Sequence, residues 1–285
     1  MSFASRIASN EITFSWFASV YSSFLVLLAN LIGRRSVLVL GGVDVAAERE
    51  LGYGIWNTWW KSKIVRYGIT HANAVIAVDD FLKREAIRLA RYDGANISVV
   101  PTGYEDNYWI PSGIKQNVVL MVASCPDVMR VKIKGVDFFI AVAKKMPDVR
   151  FQLIGIDPLV SSQLSPPGNL DCLPFADRET LLASYQRAKV YCQLSYREGL
   201  PNALCEAMLC ECIPVGTTVG GIPTAIANTG FLVEYPDEVQ TIHAIRDALT
   251  SPPERAKLAR TRISSHFSIE KREAALKRII SELLK

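Results

Sequence analysis

Two glutamates, Glu198 and Glu206, bracket the stretch Gly199-Leu-Pro-Asn-Ala-Leu-Cys205. A carboxylate accepts two hydroxyl hydrogen bonds well, so such a pair suits a polyhydroxylated ligand, one glutamate holding a ribose and the other a sugar ring. An apolar run at 190–194 precedes the pair, and the spacing of Ala203, Ala207 and Met208 follows it, which predicts strand, loop and helix in that order. Pro201 is expected at the first helical position, where a missing N–H costs nothing. Backbone donors at Leu200, Asn202 and Ala203 then point out of the helix start, where the dipole favours an anion or a ring of hydroxyls. The plainer alternative is two exposed glutamates, one of them stabilised by that dipole.

Two further segments carry chemistry of the same kind. Residues 123–137 read as a polar loop that delivers Arg130, Lys132 and Lys134 to the start of a helix. Lys134, just before Gly135, is placed to meet a diphosphate, with Arg130 or Lys132 as a second cation; three solvated surface charges are the alternative. In Val219-Gly220-Gly221-Ile222-Pro223 the glycines permit close backbone approach to a ligand, and a plain turn explains them equally well.

The elements that position these residues alternate. Strands are expected at 12–16, 36–40, 74–78 and 97–100, with helices at 18–32, 56–67 and 80–91. Pro111, Ser112 and Gly113 interrupt the pattern at 108–116. A second series then places strands at 117–122, 150–154, 170–173, 190–194 and 212–215, and helices at 136–145, 179–187 and 201–209. Helices at 238–249, 253–264 and 269–284 close the chain. Alternation of this kind predicts two Rossmann-like units in tandem, with ligands at the carboxyl ends of the strands.

Composition bounds the partners. With 285 residues, 49% hydrophobic and 21% charged, the chain is long enough for two domains with real cores. A net charge of +4 with scattered Lys and Arg and no basic stripe argues against a nucleic-acid partner. The six cysteines are too irregular for a disulfide framework, lack a CxxC pair, and are expected as small buried hydrophobes in a reducing cytoplasm, with no metal site. Residues 13–32 approach the length of a membrane span, but serines and Asn30 punctuate them, so a strand and a helix are expected instead. The aromatic and basic segment 56–66 forms, with the helix at 18–32, either a buried helix pair or a face laid against lipid.

The pattern Glu198-Gly-Leu-Pro-Asn-x-x-x-Glu206 resembles the E-x7-E signature of retaining, nucleotide-sugar-dependent glycosyltransferases of the GT-B fold, the group 1 or family 4 class. Lys134-Gly135-Val-Asp, Gly220-Gly221-Ile-Pro and Val100-Pro-Thr-Gly103 are similar to other landmarks of that family in the same order. The resemblance covers residues 70–285 well and the first part weakly. It implies an α/β, GT-B type fold of two Rossmann-like domains facing a crevice, the N-terminal one reduced. The implied domains are 1–110 on the acceptor side and 111–268 for the nucleotide sugar, with a helix at 269–285 crossing back to the first.

By the same resemblance, Glu206 matches the glutamate on the donor ribose, Glu198 the one at the transferred sugar, and Lys134 the diphosphate lysine. Gly199 and Leu200 offer backbone donors, Pro201 and Asn202 open the helix, Gly220 and Gly221 line the cleft, and the base falls near residues 174–176. No D-x-D sequence occurs, in line with the family's metal-independent chemistry; no cofactor is implied beyond the nucleotide-diphosphate sugar as donor substrate. The implied acceptor is a saccharide, a lipid-linked or a protein one, and the implied location is cytoplasmic, extending to the cytoplasmic membrane face.

The departures from the family pattern concern charge. Ala123 and Ser124 stand where many members carry glycine and arginine, leaving Arg130 as the second cation. A frequent His-Asp pair is replaced by Gly41-Gly42-Val43-Asp44, which makes Asp44 the candidate catalytic polar group there; none of His71, His243 and His266 lies at that place. Two functions stay open: transfer of the sugar with retention of configuration, or a catalytically incomplete nucleotide-sugar-binding subunit or regulatory remnant that needs a partner chain or a second copy to complete its acceptor side. Turnover separates them.

Overall fold

The computed structural model describes residues 9–285, so residues 1–8 of the first expected domain lie outside the described residues. The first unit runs to Thr102 and takes in Glu270–Lys285; the second is Gly103–Ile269, so residues 103–110 group with the second.

In the first unit the chain alternates β1 (Ile12–Trp16), α1 (Val20–Leu31), β2 (Arg35–Leu40), α2 (Trp59–His71), β3 (Ala74–Ala77), α3 (Asp80–Ala90) and β4 (Ile97–Val99). The four strands form one parallel sheet in the order β1-β2-β3-β4. Residues 36–40 of β2 and all of β3 are buried, as the continuous apolar runs of a sheet covered on both faces require. The apolar stretch 13–32 is divided between β1 and α1 by Phe17, whose φ is +70°, and by Ser19, which caps α1 in a reciprocal box with Ser22. Among the described residues no helix is long and apolar enough to cross a membrane. The helix expected from residue 56 begins instead at Trp59. The Trp56 indole N–H donates to the Asp44 carbonyl (2.8 Å), holding residues 55–57 in a 3₁₀ turn.

The second unit is built from β5 (Gln116–Cys125), α4 (Val128–Lys134), α5 (Val136–Lys144), β6 (Arg150–Ile156), α6 (Pro158–Leu164), β7 (Leu170–Leu173), α7 (Arg178–Arg187), β8 (Ala188–Gln193), α8 (Asn202–Leu209), β9 (Ile213–Thr217), α9 (Ile222–Ile226), β10 (Phe231–Val233), α10 (Glu238–Thr250) and α11 (Pro253–His266). Its six strands are parallel in the order β10-β9-β8-β5-β6-β7. That is a doubly wound sheet whose winding reverses between β8 and β5, and such a switch point is where ligands sit. The core beneath it contains Met121, Phe139, Phe151, Leu153, Val190 and Ile213, with Phe139 edge-on to Phe151 at 5.3 Å. Each such side chain contributes about 1.5–3 kcal/mol by leaving water. The last helix, α12 (Ile269–Leu283), bonds within the first unit: Arg272 donates to the carbonyls of Val100 (3.0 Å) and Pro101 (2.6 Å), and Arg35 to that of Leu283 (3.2 Å).

Two expectations near the site need correction. The supposed polar loop at 123–137 contains α4, because Asp127 caps it through the Arg130 N–H (2.8 Å) while Val131 and Ile133 are buried. Pro201 precedes α8 as its cap residue and is not its first helical residue. Short elements such as α6, α9 and β10 were not expected, being too brief for periodicity to show. Five of the six cysteines are buried free thiols, and burial pushes Cys125 up to about 11 and Cys205 and Cys210 up to about 12.

Candidate functional site

Three loops meet at the carboxyl ends of β5, β8 and β9. Gly135 joins α4 to α5 with φ +67°, and a Cβ there would lie 1.8 Å from the Leu194 carbonyl oxygen, so only glycine allows this approach. The Tyr196 N–H donates to the Ile133 carbonyl (3.0 Å), tying the loop after β8 to α4. On the other side the Thr217 hydroxyl donates to the Ser195 carbonyl (2.8 Å), and the Gly221 N–H to that of Gly199 (2.9 Å). Gly220, at φ +59°, lies so close that a Cβ would come within 2.0 Å of the Glu198 carbonyl oxygen. Glu198, Gly199, Gly220, Gly221 and Lys134 therefore form one continuous wall.

At its centre the Lys134 ammonium meets Glu198 Oε2 at 2.7 Å, with both side chains mostly buried (21% and 14% exposed). Burial of charge is costly unless further hydrogen bonds support it. Here they come from below: the Ser195 hydroxyl donates to the same oxygen (3.2 Å), Gln193 Nε2 approaches it at 3.4 Å and donates to Ser195 Oγ (2.8 Å), and the Tyr191 hydroxyl donates to Gln193 Oε1 (3.1 Å). Tyr191, Gln193 and Ser195 are spaced by two along the strand and its extension, hence on one face, and all three are buried. Sequence reasoning passed over Tyr191 and Gln193; polar groups at alternate positions of an otherwise apolar run were the signal available.

Glu206 lies in the second turn of α8 and accepts from the Tyr185 hydroxyl at 3.2 Å. Burial raises its carboxyl above the ordinary range, opposed by that hydrogen bond and by the positive charge of Arg178. No side chain caps α8: its first intrahelical bond runs from Cys205 N–H to the Pro201 carbonyl (3.3 Å), so the amides of Asn202, Ala203 and Leu204 face outward at the helix start. The α5 start beside Lys134 has no cap from Gly135, although its Phe138 N–H donates to Asp137 Oδ1 (2.9 Å). Leu200 is buried, and Asn202 accepts from the Tyr104 hydroxyl (3.0 Å). Arg130 lies four residues before Lys134 on α4, on the same helical face. The site thus offers cations and free amides for an anion, flanked by carboxylates for hydroxyls.

A recess of about 270 Å³ opens along the same sheet edge at the ends of β5, β6 and β7, where Ser124, Gly155, Asp157, Pro174 and Phe175 line it. It includes part of the 174–176 segment expected beside a base. Asp44 belongs to the first unit. It is 2% exposed, and its carboxylate accepts the amides of Ala18 (3.0 Å), Gly41 (3.0 Å) and Gly42 (2.7 Å). Burial still raises its carboxyl.

Comparison with known proteins bears on this geometry. Residues 112–263, just over half the chain, match the family described as glycosyl transferases group 1. The chain is 24% identical over 221 residues to the D-inositol 3-phosphate glycosyltransferase of Mycolicibacterium smegmatis, covering 70% of this chain and 50% of that one. It is 27% identical over 238 residues to the alpha-maltose-1-phosphate synthase of the same organism, covering 73% and 61%. It therefore spans only about half to three-fifths of the length of these relatives. Anabaena HepE, crystallised with UDP, superposes with a TM-score of 0.81 at 14% identity, over 98% of this chain and 80% of that one. That likeness establishes the fold, the GT-B type of α/β architecture with two Rossmann-like units.

Proposed function

The chain belongs to the glycosyl transferases group 1 family, and from that premise we propose that it moves a sugar from a nucleotide-diphosphate donor to an acceptor hydroxyl, with retention at the anomeric carbon. The observation that carries this reading is the meeting of Lys134 and Glu198 at the switch point, with the uncapped start of α8 beside them. The diphosphate takes the Lys134 ammonium and the helix-start amides, with Arg130 as the second cation. Glu206 holds the ribose hydroxyls, Glu198 a hydroxyl of the transferred sugar, and the recess at Pro174 and Phe175 the base. The UDP bound to HepE supports a nucleoside diphosphate as the donor's leaving part.

On this reading the reaction needs orientation and stabilisation of the departing diphosphate, both supplied by fixed donors of this chain and by no metal or cofactor. The acceptor attacks from the face the diphosphate leaves, with no protein nucleophile. Asp44 is proposed to hold the turn after β2 and not to touch substrate, since its lone pairs already serve three amides. That commitment also favours a second reading, in which this chain binds the donor and a partner chain or second copy supplies the acceptor side. Release of nucleoside diphosphate from the sugar donor by the purified chain, at a rate per chain that does not rise with protein concentration, supports the first and excludes the second.

The donor site is tested by thermal stabilisation with a panel of nucleoside diphosphates, followed by calorimetry on the one that binds. Glu206→Ala is expected to weaken that binding more than tenfold, about 1.4 kcal/mol, as lost charge-assisted hydrogen bonds require. Unchanged affinity overturns the assignment of Glu206.

A further inference from the structure

Among the described residues, the first unit exposes an apolar face along α1 and the start of α2. Along α1, Tyr21, Phe24 and Leu31 are 85%, 55% and 72% exposed, and with Leu28 they form a single stripe at spacings of three and four. Alongside runs α2, which Gly68 lets approach α1 so closely that a Cβ there would lie 2.3 Å from Ser23 Oγ. Beside that contact a groove of about 620 Å³ opens between the two helices, walled by Val20, Phe24, Leu27, Ile64 and Tyr67, with Lys63 on its lining. At the start of α2, Trp59 and Trp60 are 71% and 44% exposed, and Lys63 and Lys61 lie over their rings at 5.0 and 5.5 Å.

Charge identifies the occupant. No aspartate or glutamate occurs anywhere in residues 12–43 or 51–78, the segments that supply both helices, whereas Arg34, Arg35, Lys61, Lys63 and Arg66 do. An apolar stripe with aromatic residues and lysines beside it complements an anionic bilayer, where aliphatic and aromatic groups enter the interface and lysines meet phosphate. A second copy docking face to face would bring two positively charged patches together, because a two-fold interface pairs a patch with itself. We propose that the α1–α2 face docks on an anionic lipid bilayer, the groove taking one lipid chain and Lys61 and Lys63 the headgroup phosphates. This goes beyond the donor reading and does not depend on it.

The test is co-sedimentation of the full chain with vesicles of phosphatidylcholine, with and without phosphatidylglycerol. Binding is expected only to the phosphatidylglycerol vesicles and is expected to weaken as salt rises. A Tyr21→Ser, Phe24→Ser variant is expected to partition at least tenfold less, and Lys61→Gln and Lys63→Gln about fivefold less each. Tyr21, Phe24 and Lys63 are exposed and Lys61 is half-buried, so circular dichroism and nucleotide affinity should match the parent; if the serine pair does not fold, Trp59→Ser replaces it. No binding, equal binding to both vesicle types, or unaltered binding by the serine variant overturns the proposal. So does a dimer in light scattering that Phe24→Ser converts to monomer, since a second copy then covers the face. Nucleoside diphosphate calorimetry on the same preparations reads the donor site separately, so failure of one reading is not failure of the other.

Discussion

Lys134 and Glu198 occupy each other at 2.7 Å, so on the proposed donor reading a diphosphate that takes the ammonium competes with the carboxylate and frees it for a sugar hydroxyl. The chain Tyr191–Gln193–Ser195 holds that carboxylate from the buried side, so its freed oxygen keeps a fixed position. Glu206 behaves differently because burial, and not a cation in contact, dominates it. Its raised pKa means the folded chain favours the protonated form, so its ionised carboxylate destabilises the fold at neutral pH and acid relieves that cost. On the proposed donor reading binding runs the other way, since the ribose hydroxyls need the ionised acceptor. Nucleoside diphosphate affinity is therefore expected to fall as pH drops through a range above that of an ordinary glutamate, by up to about tenfold per pH unit. Glu206→Gln should bind weakly with a flatter profile; calorimetry across pH checks both, and an identical profile in the variant refutes the attribution.

The elements behind the site hold it through backbone contacts more than through side chains. Gly135 is the joint: it ends α4 in the left-handed region, opens α5 and touches the end of the loop's first residue at Leu194. Gly135→Ala would combine unfavourable φ with a collision against a carbonyl that belongs to the extension of a central strand. A loss of about 2–4 kcal/mol is expected in urea unfolding, together with weaker donor binding as Lys134 moves off Glu198. A fall in stability with donor affinity intact would separate the joint from the site. Strand 8, the loop and α8 were visible in the sequence because apolar run, glycine turn and helical spacing follow one another at full length. Helix α4 was not, since its seven residues carry three cations and only two buried side chains, Val131 and Ile133. Its cap, Asp127, was the available sign.

At the scale of the molecule, each unit has its own parallel sheet and its own buried polar anchor. Asp44 anchors the turn after β2 in the first, and the chain from Tyr191 to Glu198 lies under the wall of the second. Asp44→Ala is expected to leave three amides without their acceptor and to cost about 2–4 kcal/mol of stability. Nucleoside diphosphate affinity should stay within twofold of the parent at a temperature where the variant is folded. Loss of affinity in a variant shown to be folded would return Asp44 to the binding machinery.

Alternating apolar runs, turn residues and caps sufficed for an α/β chain with two Rossmann-like series and for the strand, loop and helix around Glu198 and Glu206, because those signals are local. The same signals placed Lys134 before a helix start, yet showed nothing of its partner 64 residues away. That meeting depends on strand order: β8 lies beside β5 although two strands intervene in the chain, and sequence periodicity carries no information on which strands become neighbours. The environment of Asp44 also came only with the fold, since its neighbours in sequence leave open whether a carboxylate faces a ligand or its own backbone. The fold surrounds its carboxylate with the amides of Ala18, Gly41 and Gly42, because an amide removed from water must find an acceptor, and that contact is what supports a structural role for Asp44.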